Sequence, residues 1–401
     1  MNKKSIVSIS RNKDIKLAVK FCLEHLNLPD LNDKKILLKP NVGREVDPKL
    51  AINTNPDVVY AIFNYLNERF DAEFYIGDSP IINTDSKKAF YQSGYSNLLK
   101  EKRIKFIDLD DKSPIELKIK NGFILKKIKI TGYFNEFDYI ISIPVLKMHM
   151  HTGASLSFKN MKGLIYKREK ISLHHLRASH LIEKYKPEMD SIKELDIAIA
   201  DLSRIFKPDL AVIDASYVQE GMGPSSGDIV ELNTIIASKN YLAADIVALK
   251  ITQPDWSLNN VPHLKIISEI HPNYPKSIND IQIIPSNLDD FIRPIEPPPK
   301  TISIKYKNVV LLDIDSCSAC LSTIFNLLKN NKKFIDKNFT EEKPLRLAIG
   351  RGIKKEDVYN DTFLIGNCTY NVKEKGIFIK GCTPVESTIL RIIKEKLDLN
   401  D

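Results

Sequence analysis

The chain has 401 residues, 59 lysines and arginines against 51 acidic residues, and a formal charge of +8. That length exceeds one compact core and predicts two or three domains, and an apolar share of 43% with a charged share of 27% excludes a disordered chain. The lysines are scattered rather than blocked, so a solvated surface is expected instead of a nucleic-acid face, and no apolar run reaches the ~18 residues of a membrane span.

The opening stretch, "MNKKSIVSISRNKD", has neither the apolar core nor the small-residue cleavage site of a signal peptide, which predicts a cytoplasmic protein. "KKILLKPN" (34–41) then reads as a buried strand, and "NPDVVYAIFNYLNERF" (55–70) as a helix with Asn55 as cap and Pro56 in the first turn. "EFYIGDSP" (73–80), a helix over "DSKKAFYQSGY" and "KFIDLD" (105–110) continue the alternation, and Asn121-Gly122 marks a hairpin. "DYIISIPVLK" (138–147), "PDLAVIDAS" (208–216) and "NTIIASK" (233–239) are apolar enough for strands covered on both faces. Helices are expected over "SIKELDIAIADLSRIF" (191–206) and "YLAADIVALKI". The pattern predicts an α/β fold, a doubly wound and mostly parallel sheet with ligands at the carboxyl ends of its strands.

The prolines of "PSNLDDFIRPIEPPPKT" (285–301) predict a division into a first domain over 1–285, a linker over 286–301 and a smaller α/β domain over 302–401. Four of the five cysteines fall in the last part: Cys317, Cys320, Cys368 and Cys382. Cys22 sits on an apolar helix and reads as core. Disulfides fit the even count but not the expected compartment. Structural zinc favours two close pairs, whereas here only one pair is close; an iron–sulfur cluster accepts such irregular spacing. The four cysteines are therefore expected to hold a metal centre, a [4Fe-4S] cluster with zinc as the alternative.

The densest polar stretch, "IPVLKMHMHTGASLSFKNMKGLIYKREKISLHH" (143–175), follows a buried strand and holds four of the eight histidines. His149, His174, Lys147 and Asp214 are the candidates for catalysis, with the histidines moving a proton. Lys39, Asn41, Asp78, Lys159, Asn160 and Lys162 are the candidates for substrate binding, together with Gly221 and Gly223 of the Gly/Pro loop "EGMGPSSGD" (220–228), whose N–H groups suit an anion. No dinucleotide fingerprint, P-loop or nucleophile elbow is present.

"LLKPNV", "TNPDVV", "IGDSP", "YIISIPVLKMHMHTGASLSFKNMKGLI", "PDLAVIDAS", "EGMGPSSG" and "IIASKNYLAADIVALK" together resemble domain-of-unknown-function family 362 over about residues 35–250. The resemblance implies a prokaryotic, often archaeal, protein whose relatives frequently bear or accompany a four-iron module. The "CSAC", "GNC" and "KGCTP" set resembles the cysteine pattern of such C-terminal extensions, with Thr383 where a second proline is common. The combined reading is a redox-linked enzyme acting on a small anionic metabolite. An electron carrier or scaffold serving a redox partner protein is the alternative from another class, and metal-dependent racemase or isomerase chemistry is the third.

Overall fold

In the computed structural model, residues 4–81, 84–167, 169–189, 191–299 and 306–397 are described. The chain forms two compact units, one of residues 1–221 with 228–297, the other of 222–227 with 298–401.

The first unit contains β1 (Ser5–Arg11), β2 (Lys35–Pro40), β3 (Glu73–Asp78), β4 (Ile104–Asp108), β5 (Ile115–Lys118), β6 (Lys127–Ile130), β7 (Tyr139–Ile143), β8 (Val145–His149), β9 (Gly153–Ser155), β10 (Leu210–Glu220), β11 (Asp228–Ser238) and β12 (Ile281–Ile284). Its large sheet runs β12-β1-β11-β10-β7-β2-β3-β4, with β8 on β10 and β9 on β8. Pairing is parallel except where β11 meets β1 and β10 and where β9 meets β8. Side chains alternate between two covered faces: Leu37 and Ile213 enter one core, Leu38 and Val212 the other. β5 and β6 form the hairpin expected around Asn121, whose φ is 59°. The carboxylate of Asp201 anchors that hairpin loop by accepting the N–H groups of Phe123, Ile124 and Leu125 at 2.8–2.9 Å.

The single strand expected over 138–147 is two strands. Pro144 has no N–H for a ladder, so pairing stops there. β7 lies between β2 and β10, whereas β8 moves along β10 and folds back on β9. This break turns Lys147 and His149 toward the carboxyl ends of the strands, while Leu146 and Met148 remain in the core. β9 then leads into the short helix Ser157–Asn160. Asp245, buried in the helix Tyr241–Thr252, caps this helix by accepting from Ser157 N at 2.9 Å, Ser157 Oγ at 2.5 Å and Phe158 N at 3.3 Å.

The proline-rich stretch lies along the first unit as far as Pro297. Phe291 and Ile295 are buried there, and Arg293 and Ile295 donate their N–H groups to the carbonyls of Ile251 and Thr252.

The second unit has a parallel sheet of β13 (Val309–Asp313), β14 (Leu345–Ile349), β15 (Phe363–Ile365) and β16 (Ile377–Ile379), in that order. The helices Ser318–Asn330 and Glu386–Lys396 belong to it. Among the described residues no helix is long and apolar enough to cross a membrane.

Asp245→Ala should leave two buried N–H groups of the helix Ser157–Asn160 without acceptors and cost about 2–4 kcal/mol. Urea denaturation followed by circular dichroism measures it.

Candidate functional site

Lys39 and Asp78 end β2 and β3 and form a buried ion pair, Nζ to Oδ1 at 2.8 Å. Asp78 also accepts the N–H groups of Ser79 and Val42, each at 2.9 Å. Lys39 further donates to Asn160 Oδ1 at 3.3 Å, and Asn160 Nδ2 donates to the Lys39 carbonyl and to Ser142 Oγ, both at 3.0 Å. These three residues satisfy one another, and Lys39 is 0% exposed. Lys39, Asp78 and Asn160, expected to bind substrate, are here engaged with one another and join β2, β3 and the helix Ser157–Asn160. Asp214, expected to take part in catalysis, is likewise engaged within the fold. It is buried and accepts from Asn55 N at 2.8 Å, Ser216 N at 3.0 Å and Ser216 Oγ at 2.6 Å, holding the entry to the helix Pro56–Asn67.

Gly221 gives its N–H to the Glu296 carbonyl at 2.7 Å and stands beside the Glu296 carboxylate, so it offers no anion donor. Gly223 lies in the turn 222–227, which belongs to the second unit.

Lys147, His149, Lys159, Lys162 and His174 do come together, along with His151, Lys193 and Arg44. Gln219 on β10, Lys147 on β8 and Ser155 on β9 are register partners across three strands, so their side chains share a face. Lys147 Nζ donates to Asn41 Oδ1 at 2.7 Å and to the Ile52 carbonyl at 2.5 Å; Gln219 Nε2 donates to the Leu50 carbonyl at 2.7 Å. Lys159 donates to Ser155 Oγ at 3.0 Å. Lys147 and His149 are buried, while Lys159, Lys162 and His174 are half-buried.

Among the described residues none of these three lysines has an ion-pair partner within 4.0 Å. Their proton affinities respond accordingly. Burial, then Arg44, pushes Lys147 down to about 7 despite the opposing pull of Asp78. Burial and Lys170 push Lys162 down to about 8, and burial with Lys162 and Lys147 pushes Lys159 well below the lysine range; Asp196 opposes both. His149 and His174 are held well below the histidine range by burial and then by the surrounding lysines. The result is a concentration of basic groups with lowered proton affinities. A cleft lined by Ser203, Arg204, Phe206, Lys207, His271 and Tyr274 contains none of these residues.

Sequence reading missed Gly163. A Cβ there would come 2.1 Å from Asp78 Oδ1 and 2.5 Å from Lys39 Nζ. Gly163 is in the matched stretch, but nothing in "KNMKG" marks which ion pair it covers. Gln219, Lys193 and Arg44 were missed because they lie outside the 143–175 stretch, Lys193 by 18 positions and the other two by more.

In the second unit the thiols follow the carboxyl ends of β13, β15 and β16. No cysteine is in a disulfide, and Cys22 is buried in the first unit's core, as expected. Cys320 is raised by a hydrogen bond with Cys317 and then by burial; Cys368 adds to the rise, and the Thr383 hydroxyl opposes it by donating to Cys320 Sγ at 3.2 Å. Asn367 N–H donates to the Gly381 carbonyl at 2.7 Å and Gly381 N–H to Asn367 Oδ1 at 3.0 Å, tying the loops that carry Cys368 and Cys382. Gly366, at φ 92°, leaves open a position 3.5 Å from Cys320 Sγ. This donor chemistry suits a thiolate-bound centre. Among the described residues, however, no three His, Cys, Asp or Glu side chains stand close enough together to hold a metal ion, and Cys382 is exposed.

The first unit is thus a mainly parallel α/β sheet with basic groups gathered at its strand ends. The chain belongs to the family described as Domain of unknown function (DUF362), which matches residues 36–250. It is 26% identical over 221 residues to a thylakoid-associated protein of Synechocystis sp. (strain ATCC 27184 / PCC 6803 / Kazusa), covering 55% of this chain and 64% of that one. The chain therefore spans less than two thirds of that relative. Among solved structures it is similar to a lactate racemase apoprotein from Thermoanaerobacterium thermosaccharolyticum, with TM-score 0.38, 15% identity and coverage of 63% of this chain and 58% of that one. A Thermotoga maritima protein matches with TM-score 0.37, 15% identity and coverage of 64% and 59%.

Gly163→Ala should force Lys39 and Asp78 apart and destabilise the first unit by about 3–5 kcal/mol, the usual cost of breaking a buried pair. Thermal and urea unfolding measure the loss.

Proposed function

We propose that the first unit binds a small anionic metabolite through Lys147, Lys159 and Lys162, and that the protein is a redox-linked enzyme. The carrying observation is the set of buried and half-buried lysines without acidic partners, each held below its ordinary proton affinity. An anion supplies the missing charge and restores the lysine protons. In the second unit Cys317, Cys320, Cys368 and Cys382 would have to draw closer together than they stand here to hold a [4Fe-4S] cluster, with zinc as the alternative, and the cluster would supply one-electron transfer. The hydrogen bond from Thr383 to Cys320 and the tied loops of Cys368 and Cys382 support that assignment.

An electron carrier that serves a partner protein needs the cysteines but has no use for the lysine set. Racemase or isomerase chemistry would use the lysine set without electron exchange with the cysteines. Lys147→Met and Cys320→Ala, each assayed for turnover of a co-purified metabolite, separate the three readings. The redox enzyme requires both residues, the racemase only Lys147, and the carrier only Cys320 for electron delivery.

Sulfate, a dianion throughout the range, should stabilise the protein more at pH 7 than at pH 9. The sign follows from linkage: Lys147 and Lys162 are depressed to about 7 and about 8 in the folded protein. The unfolded chain therefore holds more protons between those values and about 10.5, and stability declines as pH falls through that window. A bound anion reverses the decline by favouring the charged lysines. Lys147→Met should weaken sulfate binding roughly tenfold or more, the loss of one charged hydrogen bond. Calorimetric titration at both pH values measures both effects, and unchanged affinity in the variant removes Lys147 from the site.

Cys320→Ala should abolish the broad visible absorption of protein purified without oxygen. Metal analysis decides the centre: zinc with no iron or sulfide would replace the cluster assignment, and the absence of all three would end it.

A further inference from the structure

The neighbours of His149 and His151 dictate which ring nitrogen carries the proton. The backbone N–H of His151 donates to His149 Nδ1 at 3.1 Å, so Nδ1 presents its lone pair and neutral His149 holds its proton on Nε2. Lys193 Nζ lies 2.6 Å from His151 Nδ1. A lysine ammonium has three protons and no lone pair, so it can only donate. His151 Nδ1 is therefore an acceptor too, and the neutral ring keeps its proton on Nε2.

That Nε2 is buried with no hydrogen-bond partner among the described residues, on a side chain whose residue is 5% exposed. The groups that act on the ring from neighbouring elements are basic: Lys193 before the helix Glu194–Leu202, Lys159 on the helix Ser157–Asn160, His174 on the turn Leu173–His175, and His149 on β8. Burial, then Lys193 and Lys159, pushes His151 down to about 3, which keeps the ring neutral near physiological pH. A buried N–H without an acceptor is costly. Here the surrounding positive charge specifies an anionic oxygen as the acceptor it lacks.

We propose that His151 is a ligand-binding donor whose Nε2–H bonds a carboxylate or phosphate oxygen of the metabolite, with Lys193 as the positioning residue that sets its tautomer. The ligand role rests on the anion-site reading above; the tautomer rests on Lys193, as an ammonium, standing at Nδ1. A ring with its proton on Nε2 and a lysine on Nδ1 has no open lone pair. His151 therefore orients and polarises the ligand and does not abstract a proton from it.

The test is nitrogen NMR of the isotopically labelled full chain, using long-range proton–nitrogen correlations. From about pH 5 to about pH 8 the spectrum should show His151 neutral with its proton on Nε2. Lys193→Met should redistribute the His151 tautomers, and Lys193→Arg should restore the native pattern. Inorganic phosphate should shift the His151 Nε2 signal and slow exchange of its proton. His151→Phe should weaken phosphate binding roughly tenfold or more, whereas His151→Gln, which keeps an N–H donor, should retain most of it. A proton on Nδ1, or titration near the ordinary value of about 6.5, overturns the assignment whether or not phosphate binds. Phosphate that binds the folded protein without perturbing His151 overturns its ligand role and leaves the anion site standing. If phosphate fails to bind at all, the anion reading and the ligand role both fall, and the spectrum still decides the tautomer. Should His151→Phe fail to fold, the wild-type titration and the Lys193 variants carry the same decision.

Discussion

The bond between Lys39 and Asp78 is the constraint on which the strand-end face of the first unit depends. Two parallel strands end in opposite charges, and the buried pair they form packs directly against Gly163. Such a pair offsets its desolvation only when the remaining donors and acceptors are also engaged. Here they are, by Val42, Ser79 and Asn160. Through Asn160 the pair also fixes the helix that carries Lys159, and Asp245 holds that helix from the other side.

Against this satisfied pair, the remaining lysines stand out. Lys147 bonds to neutral oxygens only, and Lys159 to a hydroxyl. A protein tolerates lysines of this kind by lowering their proton affinity, which is the effect found at Lys147 and Lys162. Residues of the same type, in the same region of one sheet, thus form a closed ion pair when an aspartate faces them and stay without one when none does. The second unit repeats the layout, with its thiols beyond the carboxyl ends of a parallel sheet.

Most of the architecture was legible in the sequence because buried parallel strands are written as short apolar runs. "KKILLKPN", "EFYIGDSP" and "PDLAVIDAS" each became a strand close to the expected bounds, and Asn55 with Pro56 marked a true helix start. The Pro144 break was visible as a residue but not as a change of partner, because pairing depends on strands remote in sequence. The 143–175 stretch did contain Lys147, His149, Lys159, Lys162 and His174, which lie together. What sequence reading could not do was divide the strand-end residues by role. Lys39 and Lys147 both end apolar runs, and only the position of Asp78 separates a paired lysine from an unpaired one. Lys193 carried no signal of its own, since its role comes from meeting His151 forty-two positions away.

The bonds already made by Lys147 and Lys159 also limit what the proposed site could accept. Of three ammonium protons, Lys147 has given one to Asn41 and one to Ile52, and it has one left; Lys159 has given one to Ser155 and has two left. With the Nε2–H of His151 these donors approach from separate elements, the strand β8, the turn after it and the helix Ser157–Asn160. A spherical halide would satisfy them poorly. Several lone pairs arranged about one or two atoms, as on a phosphate or a dicarboxylate, would match both their number and their divergence, so the proposed site would select among anions by shape as well as by charge.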